Sequence, residues 1–500
     1  MLVSIFAEIL GRSAGLDRPA ILGPQACSHG ELLRDVERLS RRFPRHASGE
    51  KKILAAALPN SQEHIVTLLA AQHAGLAFLP VNPRATSDEK MHVLRDSGAA
   101  LFVVMNADHT FAESAGGQLL DRTGDLLLYG MPRATSPALG PEDALIIYTS
   151  GSTSGPKGVV HTDHSVSANV RAVAEYLALS PQDRCPVFTP PSFAYAISQI
   201  LTHLWTGGAV LPSSQALLQP GEFLRLAADA DVTGFQANPT IFEMLLAADD
   251  QSWPAFPSVR YLMSGGQPLT SDLAQRLKAR FGYARIVSMY GCTENAPRIS
   301  YFWLPEIIPD RPTPWPVGRS IAGTQIRIMP PDGSTVPNGT IGEILVRGTS
   351  LMRGYLAASD VLAGRTQGGW FPTRDLGFID STGDLNLVGR LDSVFSVGHE
   401  KIVPEEIEDV IGRVAGVRDA AVAPVYDPIL VQVPAALIVG EGDFAELSAR
   451  IRTACAASLS RAKFPRRFFQ VPTIPRTSYG KIDRPGLKEL VARLAAERKK

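Results

Sequence analysis

The chain is predicted to be an α/β protein. It has a large N-terminal domain of parallel-rich sheets with flanking helices and a small β subdomain, then a smaller α+β unit. Three observations predict this. Over residues 1 to about 388, apolar strand-like runs alternate with helical stretches, the pattern of βαβ units. From about residue 322 the texture changes to short strands and tight turns such as Pro331-Asp332-Gly333. After Gly389-Arg390-Leu391-Asp392 a second, shorter alternation begins. At 500 residues the chain is also too long for one hydrophobic core.

In order along the chain, strands are expected at 52–57, 101–105, 145–148, 208–211, 258–263 and 285–289, each an apolar run bounded by turn residues. Short strands at 324–329 and 342–347 form the β subdomain. In the second unit, residues 404–411 read as an amphipathic helix with Glu405 and Glu406 in its first turn, where the helix dipole favours them. Strands near 417–425 and 435–439 follow, then a helix over 444–459 and a charged helix over 487–500. No internal repeat or low-complexity tract interrupts the pattern.

Composition excludes several classes. Lysine plus arginine equals aspartate plus glutamate at 49 each, which argues against a general nucleic-acid or anionic-membrane binder. Cys27, Cys185, Cys292 and Cys455 are scattered without CxxC pairing, so a disulfide framework or zinc site is not expected, and a reducing cytoplasm is. Residues 1–12 carry Glu8 and lack a basic region, unlike a signal peptide. The most apolar stretch, 65–81, is broken by Gln72, His73, Gly75 and Pro80 and reads as a helix and buried strand. A soluble protein is expected.

The most informative segment is Tyr148-Thr149-Ser150-Gly151-Ser152-Thr153-Ser154-Gly155-Pro156-Lys157-Gly158. Small, hydroxylated and glycine residues let backbone N–H groups approach phosphate oxygens, and one lysine supplies charge. It follows a buried strand, where α/β proteins hold ligands. It is not the ordinary P-loop, which needs four residues between its glycines and a hydroxyl after its lysine; here three residues separate Gly151 from Gly155, and Gly158 follows Lys157. The competing reading is a Ser/Gly-rich surface linker.

Together with Tyr290-Gly291-Cys292-Thr293-Glu294, Thr373-Arg374-Asp375, Gly389-Arg390-Leu391-Asp392 and Pro475-Arg476-Thr477-Ser478-Tyr479-Gly480-Lys481-Ile482, this loop resembles the adenylate-forming superfamily over residues 33–484. That superfamily includes acyl- and aryl-CoA ligases, nonribosomal peptide synthetase adenylation domains and beetle luciferase. The resemblance implies an AMP-binding domain over 1–388, a hinge at 389–392 and a mobile C-terminal lid over 393–500. Implied cofactors are ATP, Mg²⁺ and coenzyme A, or the phosphopantetheine of an acyl carrier protein.

The resemblance also assigns roles. Thr149, Ser150, Gly151, Ser152, Thr153 and Lys157 cradle the β- and γ-phosphates. Glu294, with Thr149, holds Mg²⁺, and Thr293 and Glu294 serve catalysis. Gly265, Gly266 and Gln267, with Tyr290, Gly291 and Cys292, flank the adenine, and Tyr290 offers a stacking face. Asp375 accepts from the ribose hydroxyls, and Arg390 also binds ATP. Lys481 bridges the acid's carboxylate and the α-phosphate. Asp392 is the pivot, and Gly398 admits the thiol arm. Joining two anions makes positioning and charge neutralisation the main work.

For the acid, the same resemblance places Phe193, Ala194, Tyr195, Ser198, Gln236, Met263, Gly265, Met289, Pro297 and Arg298 around the acyl group. Adenylation domains for α-amino acids carry an aspartate where this chain has Ala194, and a methyl leaves a buried ammonium uncompensated. An aryl or short-to-medium acyl acid is expected instead. Arg298 either points away from the pocket or binds a second anionic group. The acceptor is coenzyme A, on prevalence among free-standing members, or a carrier protein. A non-catalytic homologue would lack Lys481, Glu294 or Asp375, and all three are present; a luciferase-like oxygenase stays open.

Overall fold

Strands Ile53–Ala57, Ala77–Pro80 and Leu101–Met105 are apolar almost throughout and buried along nearly their whole length, as strands covered on both faces must be. They form the centre of an eight-stranded sheet in the order Gly354–Tyr355, Lys157–Thr162, Asp143–Thr149, Ala77–Pro80, Ile53–Ala57, Leu101–Met105, Leu126–Gly130, Gln118–Thr123. Pairing is parallel in the centre and antiparallel towards both edges. The period-two rule sorts side chains between two cores: Leu54, Ala56, Leu101 and Val103 enter one, and Ile53, Ala55, Phe102 and Val104 the other.

The computed structural model describes residues 4–44, 51–132, 139–149, 156–214, 219–248, 253–311, 313–330, 338–356, 368–397, 400–427, 431–477 and 480–497. The chain divides into two units, one of residues 1–326 with 346–371, the other of 327–345 with 372–500. The junction expected at 389–392 thus lies within the second unit, because part of the β-rich segment groups with the C-terminal residues. No helix among the described residues is long and apolar enough to cross a membrane.

The first unit holds two further sheets. One runs Gly234–Ala237, Tyr261–Gly265, Arg285–Tyr290, Ser300–Trp303, Arg319–Ser320, with the first three strands parallel. The other runs Arg184–Val187, Ala209–Pro212, Pro19–Ile21, Cys27–Ser28. Helices start where side chains can accept the free N–H groups of the first turn: Ser28 with Glu31 and Thr86 with Glu89 form capping boxes, and Thr162 caps helix Asp163–Tyr176.

In the second unit, strands Val417–Asp427 and Val431–Gly440 form a long antiparallel hairpin, and Arg467–Gln470 adds in parallel. Alternation again decides the layers. Ala421, Ala423, Ala435 and Leu437 face Leu487 and Val491 of helix Arg484–Glu497. Val422, Ala436 and Ile438 face helices Pro404–Gly412 and Phe444–Ser458.

One carboxylate ties together the strands that carry the site. Asp183 is buried and accepts from Arg260 Nε (2.8 Å), the Thr233 hydroxyl (2.8 Å) and the Ser180 backbone N–H (2.7 Å). It thereby joins the starts of strands Arg184–Val187, Gly234–Ala237 and Tyr261–Gly265. Burial alone pushes its carboxyl up, but these donors outweigh burial and hold it below the usual range. Asp183→Asn should therefore cost about 3 kcal/mol, read as a lower urea midpoint, because the buried carboxylate loses its charge and Arg260 its partner. Since the folded pKa is depressed, the contribution is full above pH ~4 and fades as pH falls through the folded value, so wild type and variant should converge in acid. An unchanged midpoint at pH 7 would refute the clamp.

Candidate functional site

Strands Asp143–Thr149 and Lys157–Thr162 pair antiparallel, with Thr149 opposite Lys157 in register. The expected phosphate loop thus lies between two paired strands. Ser150, Gly151, Ser152 and Thr153 lie outside the described residues. Lys157 Nζ lies 5.6 Å from the centroid of the Tyr355 ring, and the Tyr355 hydroxyl donates to Glu294 Oε1 at 2.9 Å. Tyr355 therefore stands between the expected phosphate cation and the expected metal ligand. Sequence reasoning missed it. Its signal is a bare Gly-Tyr pair in a two-residue edge strand, placed by pairing of Tyr355 with Val159.

Glu294 is presented by a chain segment that folds back sharply. A Cβ on Gly291 would lie 1.6 Å from the Pro297 carbonyl oxygen, so only glycine permits this return. Asn295 Nδ2 and Asn169 Nδ2 both donate to the Arg298 carbonyl, at 2.7 and 3.0 Å. Met352 N–H donates to the Glu294 carbonyl at 2.8 Å. His161 Nε2 lies 2.7 Å from the Thr293 carbonyl. Burial pushes that imidazole down to about 4, so it is neutral at pH 7, and its carbonyl partner requires the proton on Nε2. Thr293 and Glu294 are thus held by their backbone, which leaves the carboxylate to Tyr355.

The expected adenine segments lie at the ends of neighbouring parallel strands, with Gly265 opposite Met289. Gly266 adopts φ +82°, a left-handed conformation suited to glycine. Gln267 is pinned through Oε1, which accepts from the Thr240 hydroxyl at 2.8 Å. Tyr290 ends its strand with its side chain 6% exposed, and Cys292 is half-buried before the short Thr293–Asn295 turn.

The structure gathers most of the expected acyl-pocket residues. Phe193 precedes helix Ala194–Trp205, which carries Ala194, Tyr195 and Ser198. Met263 and Met289 form one apolar cluster, against which Tyr195 packs. Gln236 Nε2 donates to the Tyr261 hydroxyl at 3.1 Å. Arg298, next to Pro297, does not point away: it is fully buried, its guanidinium carbon lies 4.0 Å from the Tyr195 ring centroid, and Nη2 donates to Gln236 Oε1 at 3.3 Å.

In the second unit, Asp375 lies opposite Arg390 in the pairing of Phe371–Ile379 with Leu385–Arg390. Arg390 reaches both Asp375 (3.2 Å) and Asp392 (3.5 Å). Arg374 Nε donates to Asp392 at 2.8 Å, and this guanidinium holds the Asp392 carboxyl below its usual range. The expected ribose ligand and the expected pivot are therefore ionically linked. Lys481 is exposed beside a tight turn in which Thr477 N–H donates to the Lys481 carbonyl at 2.8 Å and Gly480 has φ +77°. Its basic neighbours are committed elsewhere: Arg476 pairs with Asp419, and Arg484 with Glu405 and Glu408. Gly398 lies outside the described residues.

Residues 11–356 match the model of the AMP-binding enzyme family, and residues 406–481 that of the AMP-binding enzyme C-terminal domain. A feruloyl-CoA synthase of an Amycolatopsis species is 32% identical over 93% of the chain and 96% of its own length. A sulfoacetate–CoA ligase of Cupriavidus necator is 30% identical over 94% of each. ATP-bound MatB from Rhodopseudomonas palustris superposes with a TM-score of 0.83 at 23% identity, covering 99% of this chain and all of that one, and so shares the fold. With the two family models covering both parts in order, the chain belongs to the AMP-binding enzymes of the adenylate-forming superfamily.

Proposed function

We propose that the chain is an ATP-dependent acid–thiol ligase. A carboxylate oxygen attacks the α-phosphorus of ATP, the bond to the β-phosphate breaks and pyrophosphate leaves. A thiolate then attacks the acyl carbon and AMP leaves, giving a thioester. The observation that carries this reading is the Lys157–Tyr355–Glu294 arrangement beside the phosphate hairpin. It brings together a cation and an oriented carboxylate, the pair that a polyphosphate and its counter-ion would need.

Mg²⁺ fits this carboxylate. Glu294 offers hard oxygen, and among the described residues no cluster of three or more His, Cys, Asp or Glu competes to enclose a metal. A cation here would take most of its ligands from phosphate and water, as Mg²⁺ prefers. When bound it would neutralise phosphate charge. Thr149 is the second expected contributor. Lys481, exposed in its turn, is proposed to neutralise the charge that develops between the acid and the α-phosphate. Asp392 is proposed as the pivot, and residues 393–500 as the moving lid.

For the acid, the names of the relatives supply an aryl acid and a short acid, in keeping with the expected aryl or short-to-medium acyl substrate. Ala194 disfavours an α-amino acid. Coenzyme A is the proposed acceptor, and the arm of an acyl carrier protein would present the same thiol.

Pyrophosphate release from MgATP across aryl, alkyl and amino acids tests this. Turnover on an aryl or alkyl acid that depends on coenzyme A is expected; a single burst without turnover would point to a carrier protein, and silence across the panel would overturn the ligase reading. Lys481→Ala should lower adenylate formation by about 10²–10³-fold without shifting the melting temperature. Tyr355→Phe keeps the ring beside Lys157 but releases Glu294, and should raise the Mg²⁺ needed for half-maximal rate by about tenfold. Asp392→Pro should spare adenylate formation and slow thioester formation, read by single-turnover assays; equal loss of both steps would refute the pivot.

A further inference from the structure

Arg298 is in an unusual position for an arginine. It is fully buried against Tyr195, which packs on the apolar cluster of Met263, Met289 and Tyr261, yet among the described residues it forms no ion pair with a carboxylate. Its contacts include one long hydrogen bond to Gln236 Oε1 (3.3 Å), the face of Tyr195 (4.0 Å) and the Tyr176 hydroxyl. Nε and Nη1 have no hydrogen-bond acceptor. A guanidinium cannot shed its charge in a protein, so burial without a counter-charge is costly. A ring face, one amide oxygen and a phenol hydroxyl, none of them charged, offset only part of that cost.

The surrounding groups repeat the imbalance. The Tyr195 and Ser198 hydroxyls, one helical turn apart on the same face, are buried without partners. The Tyr176 hydroxyl donates to the Met263 sulfur at 3.1 Å, a weak acceptor. The amide oxygens of Asn169 and Asn295 are unpartnered too, but their Nδ2 atoms already bind the Arg298 carbonyl, and neither oxygen bonds the guanidinium. Two guanidinium N–H groups and two hydroxyls are thus left without partners beside a fixed positive charge. An apolar acyl group with nothing but hydrogen at its far end would leave all of them unsatisfied.

We propose that this cluster is a receptor for a second anionic group, so that the preferred acid carries a carboxylate or sulfonate at the end remote from the carboxylate that is activated. Either group brings several acceptor oxygens and a full negative charge, and the guanidinium fork can take two of those oxygens side by side. The inference rests on the ligase reading for what happens to the acid, but the receptor itself is read from the side chains.

The test uses matched pairs: glutarate against butyrate, and terephthalate and 4-sulfobenzoate against 4-methylbenzoate. Two readouts are taken with wild type, Arg298→Met and Arg298→Lys: kcat/KM in MgATP-dependent pyrophosphate release, and the shift in melting temperature with each acid. The expected result is preference for the dianionic member of at least one pair, with the charged-to-uncharged ratio falling about 100-fold or more in Arg298→Met. Arg298→Lys keeps the charge without the fork and should fall between. The carboxylate and sulfonate probes separate the two anion types. Wild type that favours the uncharged member of every pair, in rate and in melting shift, would overturn the proposal. So would Arg298→Met that lowers all acids equally, since a purely structural arginine would do that. Melting shifts that follow charge without any pyrophosphate release would sustain the receptor and reject the ligase reading. If Arg298→Met does not fold, the wild-type pairs and Arg298→Lys decide.

Discussion

The return of residues 291–298 on themselves is the constraint on which the first unit's chemistry depends. The Pro297 carbonyl occupies the space a Cβ at Gly291 would need, and the two buried asparagines fasten the far end by its Arg298 carbonyl. Within a few residues the chain must therefore deliver one charged side chain to each side. Glu294 meets the Tyr355 hydroxyl near Lys157, whereas Arg298 enters the apolar cluster beside Tyr195. Neutral His161 and the Met352 N–H hold the backbone between them, so neither side chain has to anchor the turn.

Charge placement follows a common logic. A carboxylate and a polyphosphate repel one another, and a protein that joins them must spend its cations locally rather than as a general basic surface. The chain carries no general basic excess, since its net charge is zero. Arg476 and Arg484 are tied to carboxylates, and Lys481 between them is exposed. Arg374 and Arg390 together draw Asp375 and Asp392 into one ionic cluster, so a change at the proposed pivot is felt at the proposed ribose ligand.

Much of this was legible in the sequence, for local reasons. The central strands were visible because burial on both faces requires continuous apolar runs, and the second unit because its alternation is strict. The expected phosphate loop and Lys481 stand out in the sequence through glycines and a lysine in fixed order. Contacts made by distant segments were not legible. Tyr355 reaches Glu294 from 61 positions away, and its strand is only two residues long. Asp183 finds Arg260 and Thr233 through sheet packing that no local pattern encodes. Arg298 was visible as an oddity, but its direction depends on the return at Gly291, which a lone glycine does not disclose.

The central claim is that a carboxylate oxygen attacks the α-phosphorus of ATP. Single-turnover reaction with an acid labelled in its carboxylate with oxygen-18, followed by mass spectrometry of the nucleotide after thiol transfer, tests it directly. The account predicts AMP carrying one labelled oxygen and unlabelled pyrophosphate. Label in inorganic phosphate with ADP as the nucleotide product, or AMP without label, would contradict it.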